Sequence, residues 1–572
     1  MSKNYSLHEP MQSNYSEELK TYPDFLAELL FHRGLDNSAK AESFLNPDYE
    51  NHMHDPFLMK DMEKAVSRVL DAISKNEKVI IFGDYDTDGI PASVIFHDFF
   101  KKVGFQNFKN YIPHRHNEGF GLNKSAIEEF AKDETKLLIT LDCGVADVEE
   151  VDLANKLGVE VIITDHHLVT QKGLPKAYAI LNPKQDDCNY PEKMLCGAGV
   201  GFKFIQALIK RGNFDIKDGW EKWLLDMVGI ATLSDMVPLQ GENRVFAYYG
   251  LKVLRKSPRP GLMKLFRKLN VNPKNINEDD VGFTISPRIN AASRMGSPQD
   301  AFNMLSTVDE VEAGNFVEHL NKINDERKGI VASLIKEIKK KINERNPEEK
   351  KKIIVIGNPN WKPSLLGLVC GNIIEEHSCP VFLWGRDGDG VLKGSCRSDG
   401  SISLVELMNK VPKEIFEDFG GHHLAGGFTV SNEGVHFLED EIEKAYESMD
   451  KNQNDFNTVF IDRKLSLDDV NWDTYSFIEK LAPYGVGNPK PVFLFENVSI
   501  CGVKKFGKQG NHLELTFENK NRKKIPAIIF FMADSPSFCD LKIGDKINLV
   551  ASLEKSLFRN FPELRLRIID TI

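Results

Sequence analysis

No run of apolar residues in this 572-residue chain approaches the roughly 20 needed to span a bilayer. The N-terminal stretch MSKNYSLHEPMQSNYSEELK lacks the apolar core of a signal peptide, so a cytoplasmic location with no membrane attachment is expected. The eight cysteines include no CxxC pair, which excludes a disulfide scaffold or a cysteine-ligated zinc site and fits reduced thiols. There is no GxxxxGK[ST] loop, so nucleotide-driven work is not expected. Internal repeats and low-complexity tracts are also missing. Nor is there an excess of positive charge. The net charge is −11, whereas a protein that coats nucleic acid non-specifically is usually basic. That argues only mildly against nucleic acid, because a carboxylate cluster and solvated helices add negative charge and binding depends on local patches.

What is present is an ordinary globular composition, 41% hydrophobic and 27% charged, in a chain too long for one core. KVIIF (from Lys78), Phe108–Ile112, KLLITL (from Lys136) and VEVIIT (from Val159) read as short buried strands. Helical stretches near Ala92–Val103, Lys124–Ala131 and Val148–Leu157 separate them. This alternation predicts an α/β domain with a parallel sheet covered on both faces. The expected order is a helical N-terminal segment over 1–55, the parallel-sheet domain over 56–308 and a long connecting helix over 309–350. A smaller α/β domain over 351–450, a linker segment over 451–496 and a small C-terminal β-barrel over 497–572 complete it. The connecting helix ends at Pro347 in a Glu/Lys-rich run that reads as a solvated helix end.

Chemistry concentrates at strand ends. Asp84, Asp86 and Asp88 alternate in GDYDTDG directly after KVIIF. Three carboxylates in five residues repel one another unless solvated or neutralised by cations. An EF-hand is excluded, since the further ligands and the Glu at position 12 are missing. Asp142 ends a second strand, in LITLDCG, and Asp165, His166 and His167 end a third, in VIITDHH. In a parallel sheet those ends share one edge, where ligands bind. Carboxylate and imidazole without thiolate suit manganese or magnesium, with zinc or iron as alternatives. Many carboxylates around one or two His suit a pair of divalent ions bridged by an Asp. Taken alone, Asp235 in GIATLSDMVPL is an ordinary helix-end residue. Arg288, Asn290 and Arg294, in FTISPRINAASRM, read as part of a loop with basic residues. The Gly-rich FGGHHLAGGF (Phe419–Phe428) is too rich in glycine for an efficient strand or helix interior.

Together GDYDTDG, LDCG, TDHH and ATLSDMVPL resemble the DHH phosphoesterase family. With YIPHRHNEGFGLN, SPRINAASRMGSP, KGSCRS, FGGHHLAGGF and LAPYGVGNPKPVF in this order, roughly residues 50–570 are similar to its bacterial single-strand-specific DNA exonucleases. The resemblance implies a DHH catalytic domain, a connecting helix, a DHH-associated substrate-binding domain and a C-terminal OB-fold. It also implies two divalent ions, Mn2+ or Mg2+, and 5′-to-3′ hydrolysis of single-stranded DNA in repair and recombination. By position it suggests Asp86, Asp88, Asp142, His166 and Asp235 as metal ligands, with Asp142 as the bridge. Asp84, Asp165 and His167 would be further ligands or groups that orient ligands and serve catalysis. Arg115, Arg288, Asn290, Arg294, Arg397 and the loop Gly420, Gly421, His422 and His423 would hold the DNA. A monomer is implied, with single-strand-binding protein and a RecQ-type helicase as partners. Pro91, Thr87 and Gly426 depart from the family pattern without removing a charged or ligand-type group.

Shorter phosphoesterases of the same superfamily, acting on short RNA, cyclic dinucleotides or pyrophosphate, lack the β-rich tail. A non-catalytic DNA-binding scaffold would have lost metal ligands, and here each is in place. From Asn497 the tail carries 13 Lys/Arg against eight Asp/Glu, interleaved with Phe506, Phe517, Phe530 and Phe531. A basic groove with aromatic platforms would suit a single strand.

Overall fold

A computed structural model describes residues 4–11, 17–169, 173–345, 352–449, 458–557 and 561–572. The Glu/Lys-rich run from Pro347 to Lys351 lies outside the described residues. The chain divides into two compact units, one built from 54–235 and 249–457, the other from 2–53, 236–248 and 458–572.

The first unit contains a five-stranded, all-parallel sheet in the spatial order Phe108–Tyr111, Val79–Gly83, Leu137–Leu141, Glu160–Thr164, Ala179–Leu181. Val79–Gly83 and Leu137–Leu141 are buried along their whole length, as runs of β-branched and leucine residues covered on both faces must be. The helices Gly89–Lys102 and Gly197–Arg211 pack against each other, and the apolar face of Lys124–Lys132 is buried through Ala126, Ile127 and Phe130. Pairing of Gly83 with Leu141, Leu141 with Thr164 and Thr164 with Leu181 puts the residues that follow the strands in one row.

FTISPRINAASRM is not a loop. A π-helical turn, Val281–Ile285, runs into the helix Ser286–Met295. Pro287 falls in the first turn, where its missing N–H costs nothing, and Ile289, Ala291 and Ala292 turn into the core. The 36-residue helix Glu310–Arg345, about 54 Å long, leads to a second sheet in the order Phe416–Gly421, Ala425–Val430, Leu392–Arg397, Val381–Arg386, Ile354–Gly357. FGGHHLAGGF lies in this sheet as a hairpin, Phe416–Gly421 against Ala425–Val430, with His422 at the turn. Close approach explains two of the glycines there, Gly421 and Gly426. A Cβ on Gly426 would lie 2.9 Å from Cys396 Sγ, so pairing with Leu392–Arg397 outweighs poor strand propensity.

The second unit contains a seven-stranded sheet in the order Arg463–Lys464, Phe493–Ser499, Lys546–Ser556, Glu563–Thr571, Lys524–Ile529, His512–Glu518, Gly502–Phe506. Its core joins Phe493, Phe495, Leu515, Phe517, Leu549 and Leu566 to Leu26, Leu29 and Leu30 of the helix Asp24–Phe31. Two expected boundaries are therefore corrected. The N-terminal segment is not a separate helical lead-in: its strand Asn4–Leu7 pairs with Thr458–Ile461, and its leucines complete the C-terminal core. Within 451–496, the described part is not a linker. It supplies strands and the helix Trp472–Glu479, because its apolar residues have the same core to fill.

Candidate metal centre

Each of the three central strands of the parallel sheet hands over to a carboxylate at its C-terminal end. The Asp84 N–H donates to the Leu141 carbonyl (3.1 Å), Asp142 N–H to Thr164 (2.9 Å) and Asp165 N–H to Leu181 (3.0 Å). The sheet ladder thus extends one residue beyond each strand and fixes the row. Asp142 turns the chain with φ +64, a left-handed conformation that costs on the order of 1–3 kcal/mol and clusters at functional sites.

The acidic loop folds onto two helix starts. Asp86 Oδ1 accepts from Asp88 N–H (2.7 Å) and Gly89 N–H (3.1 Å), at the head of Gly89–Lys102. Asp88 reaches the head of Gly197–Arg211, accepting from Gly197 N–H (2.5 Å) and Ala198 N–H (2.7 Å). Helix N-termini favour negative charge. Gly197 is required there, since a Cβ would lie 2.5 Å from Asp142. His166 Nε2 lies 3.2 Å from Asp142 Oδ1 and 3.7 Å from Asp88 Oδ2, and its Nδ1 lies 3.8 Å from Asp235 Oδ2. Asp235 does close a helix, Leu225–Ser234, and folding aims it at His166.

Three overlapping sets have ligand atoms within 4.8 Å of one another: Asp84, Asp86 and Asp142; Asp142, His166 and His167; and Asp88, His166 and Asp235. Asp165 stands apart from them. Its Oδ1 accepts from His166 N–H, His167 N–H and His167 Nδ1 (2.7, 3.0 and 2.7 Å), and Oδ2 accepts from Val145 N–H (2.9 Å). That side chain orients the DHH turn.

Burial, and then neighbouring carboxylates, push the acids up: Asp88 to about 7, Asp235 to about 8, and Asp84 and Asp142 well above the usual range. Burial and the adjacent His167 push His166 down to about 3, leaving a neutral ring with a lone pair to offer. Burial alone would lower His167, but its bond to Asp165 and that carboxylate's charge raise it to about 9. Asp84 Oδ1, Asp142 Oδ1 and His166 Nδ1 are buried with no hydrogen-bond partner. Five crowded carboxylates, a neutral imidazole and orphaned acceptors fit divalent cations.

The expected DNA contacts divide. Arg115 stacks over Tyr85 (4.9 Å), on a loop tied down by Glu118, which accepts from the Tyr111 hydroxyl, His114 N–H (2.6 Å) and Asn123 Nδ2 (3.1 Å). Arg115 and Gly420 line a cleft of about 350 Å³ together with Tyr85, Phe120, Ser364 and Lys393. Arg294 donates to the Ser364 carbonyl (2.6 Å), and burial followed by the nearby Arg115 lowers it to about 9. Arg288 spends its guanidinium on Thr284 O (2.6 Å) and Asn321 Oδ1 (3.1 Å). Asn290 accepts from Thr87 N–H (3.1 Å) and so braces the acidic loop. Arg397 Nη1 donates to Cys396 O (2.8 Å), while Gly420, Gly421, His422 and His423 are exposed on the hairpin. Sequence reasoning missed Tyr85, Phe120 (5.6 Å from the His167 ring), Glu118 and the helix start at Gly197. GDYDTDG contains Tyr85, and YIPHRHNEGFGLN contains Glu118 and Phe120, but neither motif marks these as site residues.

Family models match three segments: the DHH family N-terminal domain over 78–232, the DHHA1 domain over 350–454 and the RecJ OB domain over 461–570. The chain is similar to the single-stranded-DNA-specific exonuclease RecJ of Bacillus subtilis, 32% identical over 557 residues, covering 97% of this chain and 68% of that protein. Its fold matches a structure of RecJ from Thermus thermophilus in complex with Mn2+ (TM-score 0.82, 24% identity, 100% of this chain and 79% of the other). It also matches an exonuclease RecJ bound to manganese (TM-score 0.60, 28% identity, 70% of this chain and 98% of the other).

Proposed function

The chain belongs to the RecJ family of single-stranded-DNA-specific exonucleases, and from that premise we propose that it is a metal-dependent exonuclease that removes nucleotides from single-stranded DNA in the 5′-to-3′ direction. The observation that carries this reading is the cluster of Asp84, Asp86, Asp88, Asp142, His166 and Asp235 on one sheet edge, with buried acceptors that nothing in the protein satisfies.

Asp86, Asp88, Asp142, His166 and Asp235 would hold two divalent ions, Mn2+ or Mg2+, with Asp142 shared and Asp84 alongside. Bound there, such a pair supplies an activated water at neutral pH and neutralises charge on the phosphoryl group. The remaining work belongs to the protein. The amides of Gly197 and Ala198 hold the Asp88 carboxylate, and Asn290 holds the loop through Thr87. Asp165 keeps His167 protonated and oriented, so that it can donate to an anionic phosphate. Arg115, with Tyr85 and Phe120 beside it, suits a nucleotide of the strand in the adjacent cleft. Arg397 and His422 would meet the backbone further along.

In the second unit, Phe530 lies under Arg567 (4.1 Å) and Phe531 is 75% exposed beside His512, an aromatic and basic patch suited to a longer strand. Phe517 fills the core instead. Action in the cytoplasm as a monomer, in repair and recombination with single-strand-binding protein and a RecQ-type helicase, completes the proposal. The test is end-labelled single-stranded DNA with and without Mn2+. Loss of label from the 5′ end only when metal is present is expected. Metal-independent cleavage or the opposite polarity would refute the reading.

A further inference from the structure

The second unit contains another group of ligand-type side chains, His8, His32 and Asp462, whose ligand atoms lie within 4.8 Å of one another. They come from three segments. His8 follows the strand Asn4–Leu7, His32 closes the helix Asp24–Phe31, and Asp462 follows the strand Thr458–Ile461. The His8 ring stacks on His32 (4.3 Å between centroids) and on Phe460 (4.9 Å), and the His8 backbone N–H donates to Ile461 O (3.0 Å).

His32 is the informative residue. Its side chain is only 3% exposed and that of Asp462 9%. Nε2 lies 3.3 Å from the Glu9 carbonyl, a contact that only an N–H can make, because a carbonyl has no proton to give. A neutral ring then carries a bare lone pair on Nδ1. That atom has no hydrogen-bond partner and lies 3.6 Å from Asp462 Oδ1. Asp462 Oδ1 accepts from Arg33 Nη1 (3.4 Å), but the buried lone pair on His32 Nδ1 faces that carboxylate with no donor of its own, which is unfavourable. Something positive belongs there, and the His8 imidazole stands beside it as a third donor.

We infer that His8, His32 and Asp462 form a second metal site, separate from the acidic centre, for a divalent transition ion of the zinc class. Arg33 helps to select the ion. Its Nη1 lies 3.4 Å from Asp462 Oδ1 and offsets that charge, while the guanidinium is held by Leu29 O (2.7 Å), Asn488 Oδ1 (2.9 Å) and Pro489 O (2.8 Å). A nearly neutral pocket with one carboxylate attracts magnesium or calcium poorly, since those ions seek several oxygens. Two imidazoles and one carboxylate, with water as a fourth ligand, suit zinc. Asp462 Oδ2 accepts from Val492 N–H (2.9 Å), which fixes the carboxylate. Closing the set to zinc bonds of about 2.0–2.1 Å needs the His8 ring, stacked on His32 at an interplanar angle of 19°, to swing out of the stack so that both lone pairs meet one ion. The His8 segment can supply this movement, because among the described residues its strand pairs with Thr458–Ile461 alone. A two-stranded pair is marginal by itself, so the ion would act as a staple for the N-terminal strand.

The experiment uses the full chain, stripped with chelator and dialysed against buffered zinc. Metal content is measured by mass spectrometry for the native protein and for His8→Ala, His32→Ala and Asp142→Asn. The native protein should hold one zinc equivalent more than either His variant. Both His variants should keep Mn2+-dependent cleavage within about twofold of native. Cobalt in place of zinc should give a tetrahedral visible spectrum that Asp142→Asn retains and His8→Ala loses. His8→Ala removes a ring stacked on His32 but keeps the buried imidazole, so a native melting temperature in the metal-free variant shows that its loss of zinc is not a folding defect. Equal zinc content and equal cobalt spectra in the native protein and His8→Ala would overturn the site and assign the positive charge between His32 and Asp462 to a second proton on the ring.

Discussion

Replacing Asp142 with asparagine separates catalysis from folding at this centre. The carboxyl is 2% exposed, belongs to two of the three ligand sets, and lies 3.2 Å from His166 Nε2. Asparagine keeps the volume and is among the few residues that tolerate the left-handed φ of +64, so no new backbone strain arises. What disappears is the one carboxylate that both ions would share. Its loss should cost several kcal/mol of transition-state stabilisation, a fall of about 10³- to 10⁵-fold in single-turnover cleavage of end-labelled single-stranded DNA. Stability should move the other way. Burial, followed by the charges of Asp88, Asp86, Asp84 and Asp235, raises this carboxyl far above its ordinary value. In the metal-free native protein the folded state therefore keeps a proton that the unfolded chain releases near pH 4, and stability falls as pH rises from there. The amide has no proton to surrender, so metal-free Asp142→Asn should melt above the native protein, by a margin that grows with pH. Near-native cleavage would refute the ligand assignment. A metal-free variant several degrees less stable than native would show that Asp142 is there for the fold.

The same electrostatics predict that native protein in excess EDTA loses melting temperature between about pH 4 and 8, because Asp88 and Asp235, raised to about 7 and 8, keep protons there that the unfolded chain has released. Saturating Mn2+ should flatten that slope, and Mn2+ affinity measured by calorimetry should rise with pH as bound protons are displaced. A flat melting profile in EDTA would refute this. Asp165→Asn should let His167 fall from about 9 toward the ordinary histidine range. The pH–rate profile should then shift to the acid side, with relatively more activity kept at pH 6 than at pH 8, and an unchanged profile would remove His167 from the chemistry. Deleting everything after Asn497 would strip strands from Phe493–Ser499 and expose Leu26, Leu29 and Leu30, so the DNA track is better tested by Phe531→Ala with Lys504→Ala. Affinity for long single strands should fall about tenfold, with a shallower salt dependence and unchanged cleavage of very short oligonucleotides. Equal binding across a salt titration would move the track elsewhere.

The parallel sheet and the Asp and His residues at its edge are local in the sequence: buried strands announce themselves as apolar runs, and a ligand at a strand end needs only the next residue. That is why the strand pattern alone places Asp84, Asp142 and His166 on one edge, and why the tail from Asn497 reads as strands. The roles of Asp235, Asn290 and Arg294 do not follow from local pattern. Each sits on or at the end of a helix of ordinary sequence, and each acquires its role from a residue far along the chain: His166, Thr87 and Ser364. Asp165 resembles a ligand by adjacency, and only the four N–H contacts on its oxygens make it an orienting group. The union of the N-terminal segment with the C-terminal sheet was equally out of reach. Amphipathic leucines at positions 26, 29 and 30 say that a face must be buried, while the surface that buries it lies more than 400 residues away, where only the closed chain brings Phe493 and Phe495 against them.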